Sequence, residues 1–166
     1  MNLYLVGFMG SGKTSVGRCL AGRLGWSFLD LDEEILKRAG MSIRDIFTSR
    51  GEAYFRRLES EELKRVCVVS RTVIALGGGA FSSAENREAV QSTGKSIWLD
   101  LPVDIIVARC AGDDSRPLFS GRREMEKLLD ERRPCYALAD IRVNADDLPV
   151  DAVVDRILTS LGADAR

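Results

Sequence analysis

The chemistry of this chain is written most plainly near its start, where Gly7-Phe8-Met9-Gly10-Ser11-Gly12-Lys13-Thr14 satisfies G-x-x-x-x-G-K-[ST]. Glycines let the backbone wrap tightly, so that successive N–H groups and the N-terminus of the following helix face phosphate oxygens. On this reading Gly10, Ser11, Gly12, Thr14 and Ser15 bind a nucleotide's phosphates. Lys13 brings a cation to the β- and γ-phosphates, and the Thr14 hydroxyl holds Mg²⁺. A GTP switch would add D-x-x-G and N-K-x-D, and neither string occurs in the chain. A large ATPase normally has more than 166 residues. Phosphoryl transfer to a small metabolite or a nucleotide is what remains.

An acceptor needs its own groups. Asp30 and Asp32, two residues apart at the end of an extended run, emerge on the same side. One of the two carboxylates is suited to ordering Mg²⁺ and the other to accepting the proton of an attacking hydroxyl as general base; Asp32 also fits as the N-cap of a helix, and both roles are compatible. Arg56 sits on a helical segment four residues after Glu52 and three before Glu59, a spacing that holds its guanidinium in one rotamer. An oriented arginine suits a carboxylate, and the alternative is a surface charge ladder. Gly77-Gly78-Gly79 follows another extended run and removes every side chain there, as close approach of a flat ring or a tight turn would require. Arg132 continues the apolar stripe of Met125, Leu128 and Leu129, which aims it inward; with Pro134 ending the helix it also suits a helix C-terminus. Arg116, before Pro117 and Leu118, fits an arginine finger closing on the transferred phosphate, or an exposed loop residue.

These groups must be positioned by a scaffold. Short aliphatic runs at residues 3–6, 28–30, 72–76, 96–101 and 141–144 alternate with helical spacing at 13–24, 32–39, 42–49, 52–69, 83–92, 102–111, 122–139 and 149–161. Strand-helix alternation predicts an α/β fold, a doubly wound sheet of about five parallel strands with helices on both faces. Ligands bind such sheets at the carboxyl ends of the strands, where all the named loops fall. Residues 32–69 carry extra helices that fit a substrate subdomain, and 111–123 is a polar stretch that fits a lid.

Composition narrows the class further. The length predicts one domain, and no apolar run approaches the ~20 residues needed to span a bilayer. The start carries no basic leader, so the cytoplasm is the expected compartment. Four scattered cysteines and no histidine argue against zinc sites and imidazole bases. A net charge of -1 argues against a nucleic-acid partner. The 24 basic residues divide into 19 Arg and 5 Lys, an excess suited to bidentate binding of carboxylates and phosphates.

Taken together, GFMGSGKT (7–14), LDLD (29–32), MSIRDIFTSRGEAYFRRLE (41–59), GGGA (77–80), SRPL (115–118) and ERRPCYALAD (131–140) resemble the shikimate kinase family over nearly the whole chain. The resemblance implies a P-loop fold of the nucleoside-monophosphate-kinase type acting as a monomer with ATP and Mg²⁺. It implies phosphorylation of the 3-hydroxyl of shikimate, a substrate subdomain at 32–61 and a lid at 111–124. By the same resemblance Asp32, Arg56, Gly78 and Arg132 contact shikimate, Lys13 and Arg116 the phosphates, Thr14 and Asp30 the metal, and Arg109 the adenine. The chain departs from the family at 144–149, where a further basic residue is common and this chain reads NADDLP. Other small-metabolite kinases and a catalytically silent ATP-binding module are the competing classes; paired arginines favour an acid acceptor, and retention of Lys13, Asp30, Asp32 and Arg116 favours activity.

Overall fold

The structure is a computed structural model describing residues 1–110, 121–146 and 148–164. Five strands, β1 (Asn2–Val6), β2 (Ser27–Asp30), β3 (Thr72–Ala75), β4 (Gly94–Asp100) and β5 (Ile141–Asn144), form one parallel sheet in the order β2-β3-β1-β4-β5. Among the described residues eight α-helices connect or flank them: α1 (Lys13–Leu24), α2 (Leu31–Ala39), α3 (Ile43–Arg50), α4 (Glu52–Cys67), α5 (Ala84–Thr93), α6 (Val103–Cys110), α7 (Arg122–Tyr136) and α8 (Val150–Asp164). The fold is the doubly wound sandwich expected from the alternation. No helix among the described residues is long and apolar enough to cross a membrane.

The strand order decides where ligands go. The connection from β1 runs outward to β2, whereas that from β3 runs the other way to β4, so right-handed crossovers put α1 and α5 on opposite faces. Between β1 and β3 the direction of winding reverses, which opens a crevice at their carboxyl ends. The loop after β1 is the glycine-rich one, and the loop after β3 is Gly77–Gly79. Every residue of β1 and β3 is buried, as a central parallel sheet covered on both faces demands. On one face α1 approaches so closely that a Cβ on Gly17 would lie 2.4 Å from the Phe28 ring.

Two local expectations change. Asp30, not Asp32, caps α2: its Oδ1 accepts from the Asp32 N–H at 3.0 Å. That releases the Asp32 side chain from capping. Pro134 does not end α7, which runs on through the last turn to Tyr136. Arg133, not Arg132, therefore occupies the helix's last turn, and Arg132 turns inward with 7% of its surface exposed. Residues 122–124 of the expected lid form the first turn of α7; 111–120, with Arg116, lie outside the described residues.

Candidate active site

The crevice is a cleft of about 720 Å³ between the two glycine loops. It is lined by Gly10, Gly12, Lys13, Thr14 and Ser15 on one side and by Asp32, Arg56, Gly78 and Arg132 on the other, with Asp30 and Arg109 also on its wall. Among the described residues, the one expected site residue that does not line it is Ser11, which is buried while its N–H donates to Phe8 O at 3.2 Å.

At the phosphate end the backbone itself makes the site. Gly10 and Gly12 adopt φ of 72° and 88°, the left-handed region that glycine enters without steric cost. Gly12 caps α1 without a side chain, which leaves the first-turn N–H groups for an anion. Lys13 lies across the loop, its Nζ donating to the Gly7 and Phe8 carbonyls at 2.9 Å each. Arg109 Nη1 reaches the Gly10 carbonyl at 3.4 Å, so α6 also borders the phosphate end.

Asp30 joins the two ends. One carboxylate oxygen caps α2 and the other accepts from the Thr14 hydroxyl at 2.7 Å. That hydroxyl–carboxylate pair fits Mg²⁺, which keeps most of its waters and takes few protein ligands when phosphates bind it too. Among the described residues no cluster of three or more acidic, cysteine or histidine side chains could hold a metal alone. The donor set therefore suits a metal that arrives with its nucleotide.

At the acceptor end the Gly77–Gly79 strip is pressed on by the chain's own charged side chains. A Cβ on Gly77 would lie 2.8 Å from both Asp32 Oδ1 and Glu59 Oε1; one on Gly78, 3.1 Å from Arg132 Nη1; one on Gly79, 2.5 Å from Arg56 Nη1. None of the three has a positive φ. Glycine is required here for space rather than for backbone conformation. Four charged groups from α2, α4 and α7 thus converge on one strip of backbone.

Arg56 is held as its spacing predicted, through Nη1 to Glu59 at 2.9 Å and Nη2 to Glu52 at 3.2 Å. Arg132 has its guanidinium carbon 5.8 Å from the centre of the Phe8 ring, and its Nη1 is buried with no hydrogen-bond partner among the described residues. A buried donor left unpaired costs about 1–3 kcal/mol, so this atom marks the place of a missing acceptor. Arg133 does not line the cleft. Phe47 and Phe55, ring centres 4.8 Å apart, form the apolar wall.

Glu59 was visible in sequence only as a partner of Arg56. In the structure it is 1% exposed and lines the cleft, with Oε1 lacking a hydrogen bond among the described residues. Burial pushes its carboxyl up; Arg56 opposes that shift without cancelling it, and nearby Asp32 adds to it. Its third-residue spacing from Arg56 was the one available signal. Phe47 gave none, because an aromatic on a helix stripe reads as core.

A shikimate kinase family model matches residues 9–162. The chain belongs to the shikimate kinase family. A shikimate kinase from Persephonella marina is 44% identical over 158 residues, covering 95% of this chain and 96% of that one. Among solved structures, the shikimate kinase of Acinetobacter baumannii in complex with shikimate matches with a TM-score of 0.95 at 36% identity, covering 98% and 93% of the two chains. The Aquifex aeolicus shikimate kinase gives 0.87 at 42% identity, covering 99% and 98%. A deoxyadenosine kinase from M. mycoides, 16% identical with a TM-score of 0.65, shares the fold alone.

Proposed function

We propose that this protein transfers the γ-phosphate of ATP to the 3-hydroxyl of shikimate, giving shikimate 3-phosphate and ADP, a step of aromatic amino-acid synthesis. The observation that carries the choice of acceptor is the buried, unpartnered Nη1 of Arg132 beside the glycine strip, with the oriented guanidinium of Arg56 on the same strip. Two guanidiniums converging on one short piece of backbone make a socket for a carboxylate. A nucleotide acceptor carries none, and family membership names the acid.

Each residue then has a task. Arg56, Arg132 and the backbone at Gly78 hold the acceptor by its carboxylate end, against Phe47 and Phe55. Asp32, uninvolved in capping, accepts the proton of the attacking hydroxyl as its oxygen bonds to the γ-phosphorus and ADP departs. Lys13 turns from the loop carbonyls to the transferring phosphoryl group and stabilises its charge. Thr14 and Asp30 would hold Mg²⁺, which would supply neutralisation of the phosphates' charge. Arg109 flanks the adenine, Arg116 adds a second cation to the phosphates, residues 32–61 form the acceptor subdomain and 111–124 the lid.

Action as a monomer rests on membership of the family alone. The cytoplasm is the compartment that family membership suggests. A coupled ADP-release assay against shikimate, gluconate and nucleoside monophosphates tests the reading. Turnover with shikimate alone is expected, and turnover with a nucleotide but not shikimate would overturn it.

A further inference from the structure

Tyr136 lies one turn beyond Arg132 on the same face of α7. It is fully buried, and its hydroxyl donates to the Gly78 carbonyl at 2.5 Å. Nothing in the reaction as described uses it. Its partner is the least constrained stretch of backbone in the cleft: three consecutive glycines have no Cβ to resist rotation, so the peptide planes between them turn over at little steric cost. All peptides are trans, and in a trans plane the C=O and N–H point in opposite directions. A Gly78 carbonyl held toward α7 therefore turns the Gly79 N–H to the opposite side.

The hydrogen bonds of the loop agree with this. The N–H groups of Ala80 and Ser82 are taken by the Gly77 and Gly79 carbonyls, whereas no described backbone carbonyl accepts from the Gly79 N–H. Gly79 lines the cleft, so its N–H is a donor for an acceptor's oxygen. The tyrosine ring is itself fixed from the sheet. Trp98 of β4 packs on it with ring centres 6.0 Å apart, and the Arg142 guanidinium stacks 4.8 Å from the Trp98 ring on its own account. Burial pushes the phenol up to about 12, an effect that nearby Arg132 opposes without cancelling, so the hydroxyl remains a donor throughout the working pH range.

We infer that Tyr136 is a positioning residue of the acceptor pocket, whose hydroxyl locks the Gly78–Gly79 peptide so that the Gly79 N–H faces the acceptor's carboxylate. This rests on the carboxylate-acceptor reading above. Without the lock, the peptide spends time in an orientation that presents a carbonyl oxygen to a carboxylate, and binding of the acceptor pays for turning it back. The nucleotide is held by the other glycine loop, so its affinity should change little.

Tyr136→Phe keeps the ring and removes the donor. Its shikimate KM should rise about tenfold while the Kd for ATP stays within about twofold; a residue that served stability alone would lower the active fraction, and so kcat, without moving KM. Replacing Tyr136 with 4-aminophenylalanine restores a donor at the same place and should bring KM back to within about threefold of wild type. A KM rise of less than about fivefold for the Phe variant, a parallel loss of ATP affinity, or failure of the amino variant to rescue overturns the inference. Should the Phe variant not fold, relaxation dispersion on the free wild-type protein decides: a flat profile at the Gly79 amide supports the lock, and microsecond-to-millisecond exchange there refutes it. If wild-type enzyme does not phosphorylate shikimate at all, the acceptor reading falls first, whatever Tyr136 does.

Discussion

On the proposed reading, the two ends of the cleft bind oxyanions by different means. At the phosphate end eight consecutive residues and the first turn of α1 supply nearly everything, and what they supply is mainly backbone N–H groups in conformations that glycine allows. At the acceptor end the glycines are a floor, with φ values open to any residue, and the recognition groups are side chains brought from α2, α4 and α7. A phosphate carries charge on several oxygens and accepts from any ring of donors, so a short loop suffices. A particular small acid must be held in one orientation, which takes planar guanidiniums at fixed angles, and no contiguous peptide can present those. The phosphate end thus depends less on packing elsewhere, whereas the acceptor end depends on three helices docking correctly.

Substitutions sharpen that contrast. The largest effect is expected at the phosphate end, where Lys13→Ala should lower kcat by at least about two orders of magnitude, because the developing charge loses its fixed cation. Single-turnover kinetics measures it, and a loss of less than about tenfold, under ~1.4 kcal/mol, would return Lys13 to a loop-bracing role through Gly7 and Phe8. Next is Asp32→Asn, which should cost roughly two orders in kcat as a general base is lost. Its melting temperature should scarcely move, because Asp30 makes the cap. A lowered melting temperature with kcat retained would make Asp32 structural.

Smaller and confined to KM are the arginine variants. Arg56→Lys keeps the charge and loses the planar fork, so shikimate KM should rise roughly ten- to hundredfold while ATP affinity stays within about twofold. Arg132→Lys should behave alike, and Arg133→Lys, outside the cleft lining, should not. Gly79→Ala should imitate Arg56→Lys, since the added Cβ would lie 2.5 Å from Arg56 Nη1 and push the guanidinium out of its pairing with Glu52 and Glu59. Equal loss of ATP and shikimate binding in any of these would erase the distinction between the two ends.

The smallest expected effect is the pH dependence of stability contributed by Glu59. Its folded carboxyl titrates above the ordinary value of 4.5 because it is buried. In that window the folded state binds more protons than the unfolded one, so this group's contribution falls as pH rises from 4.5 through the raised folded value. Denaturant unfolding of wild type against Glu59→Gln across the acid range should show the wild type losing stability relative to the variant as pH rises. A difference that stays level or grows with pH would mean that Arg56 holds Glu59 ionised more firmly than burial opposes it.

How much of this was legible in the chain follows the same division. The strand-helix alternation located all five strands and eight helices to within a few residues, because a parallel sheet covered on both faces forces continuous apolar runs separated by amphipathic helices. The glycine loop announced its role because its function resides in contiguous backbone. At the acceptor end the residue types were readable, and Arg56 could be paired with Glu52 and Glu59 because helical spacing is local. Whether Asp30 or Asp32 capped α2 turned on one chain trajectory out of β2, and both are equally good capping residues. Arg132 and Arg133 were indistinguishable by type, and only continuation of α7 past Pro134 sets which one faces inward.

The sequence by itself therefore determined the class of fold, the nucleotide loop and the list of charged groups available for an acid, since these depend on periodicity and adjacency along the chain. Only the tertiary structure decided that Asp32, Glu59, Arg132 and Arg56 press on three successive glycines, and that Tyr136 reaches the Gly78 carbonyl 58 residues away. Those contacts are set by how α2, α4 and α7 dock around the reversal between β1 and β3. Docking is fixed by the packing of side chains distant in sequence, and no local pattern encodes it.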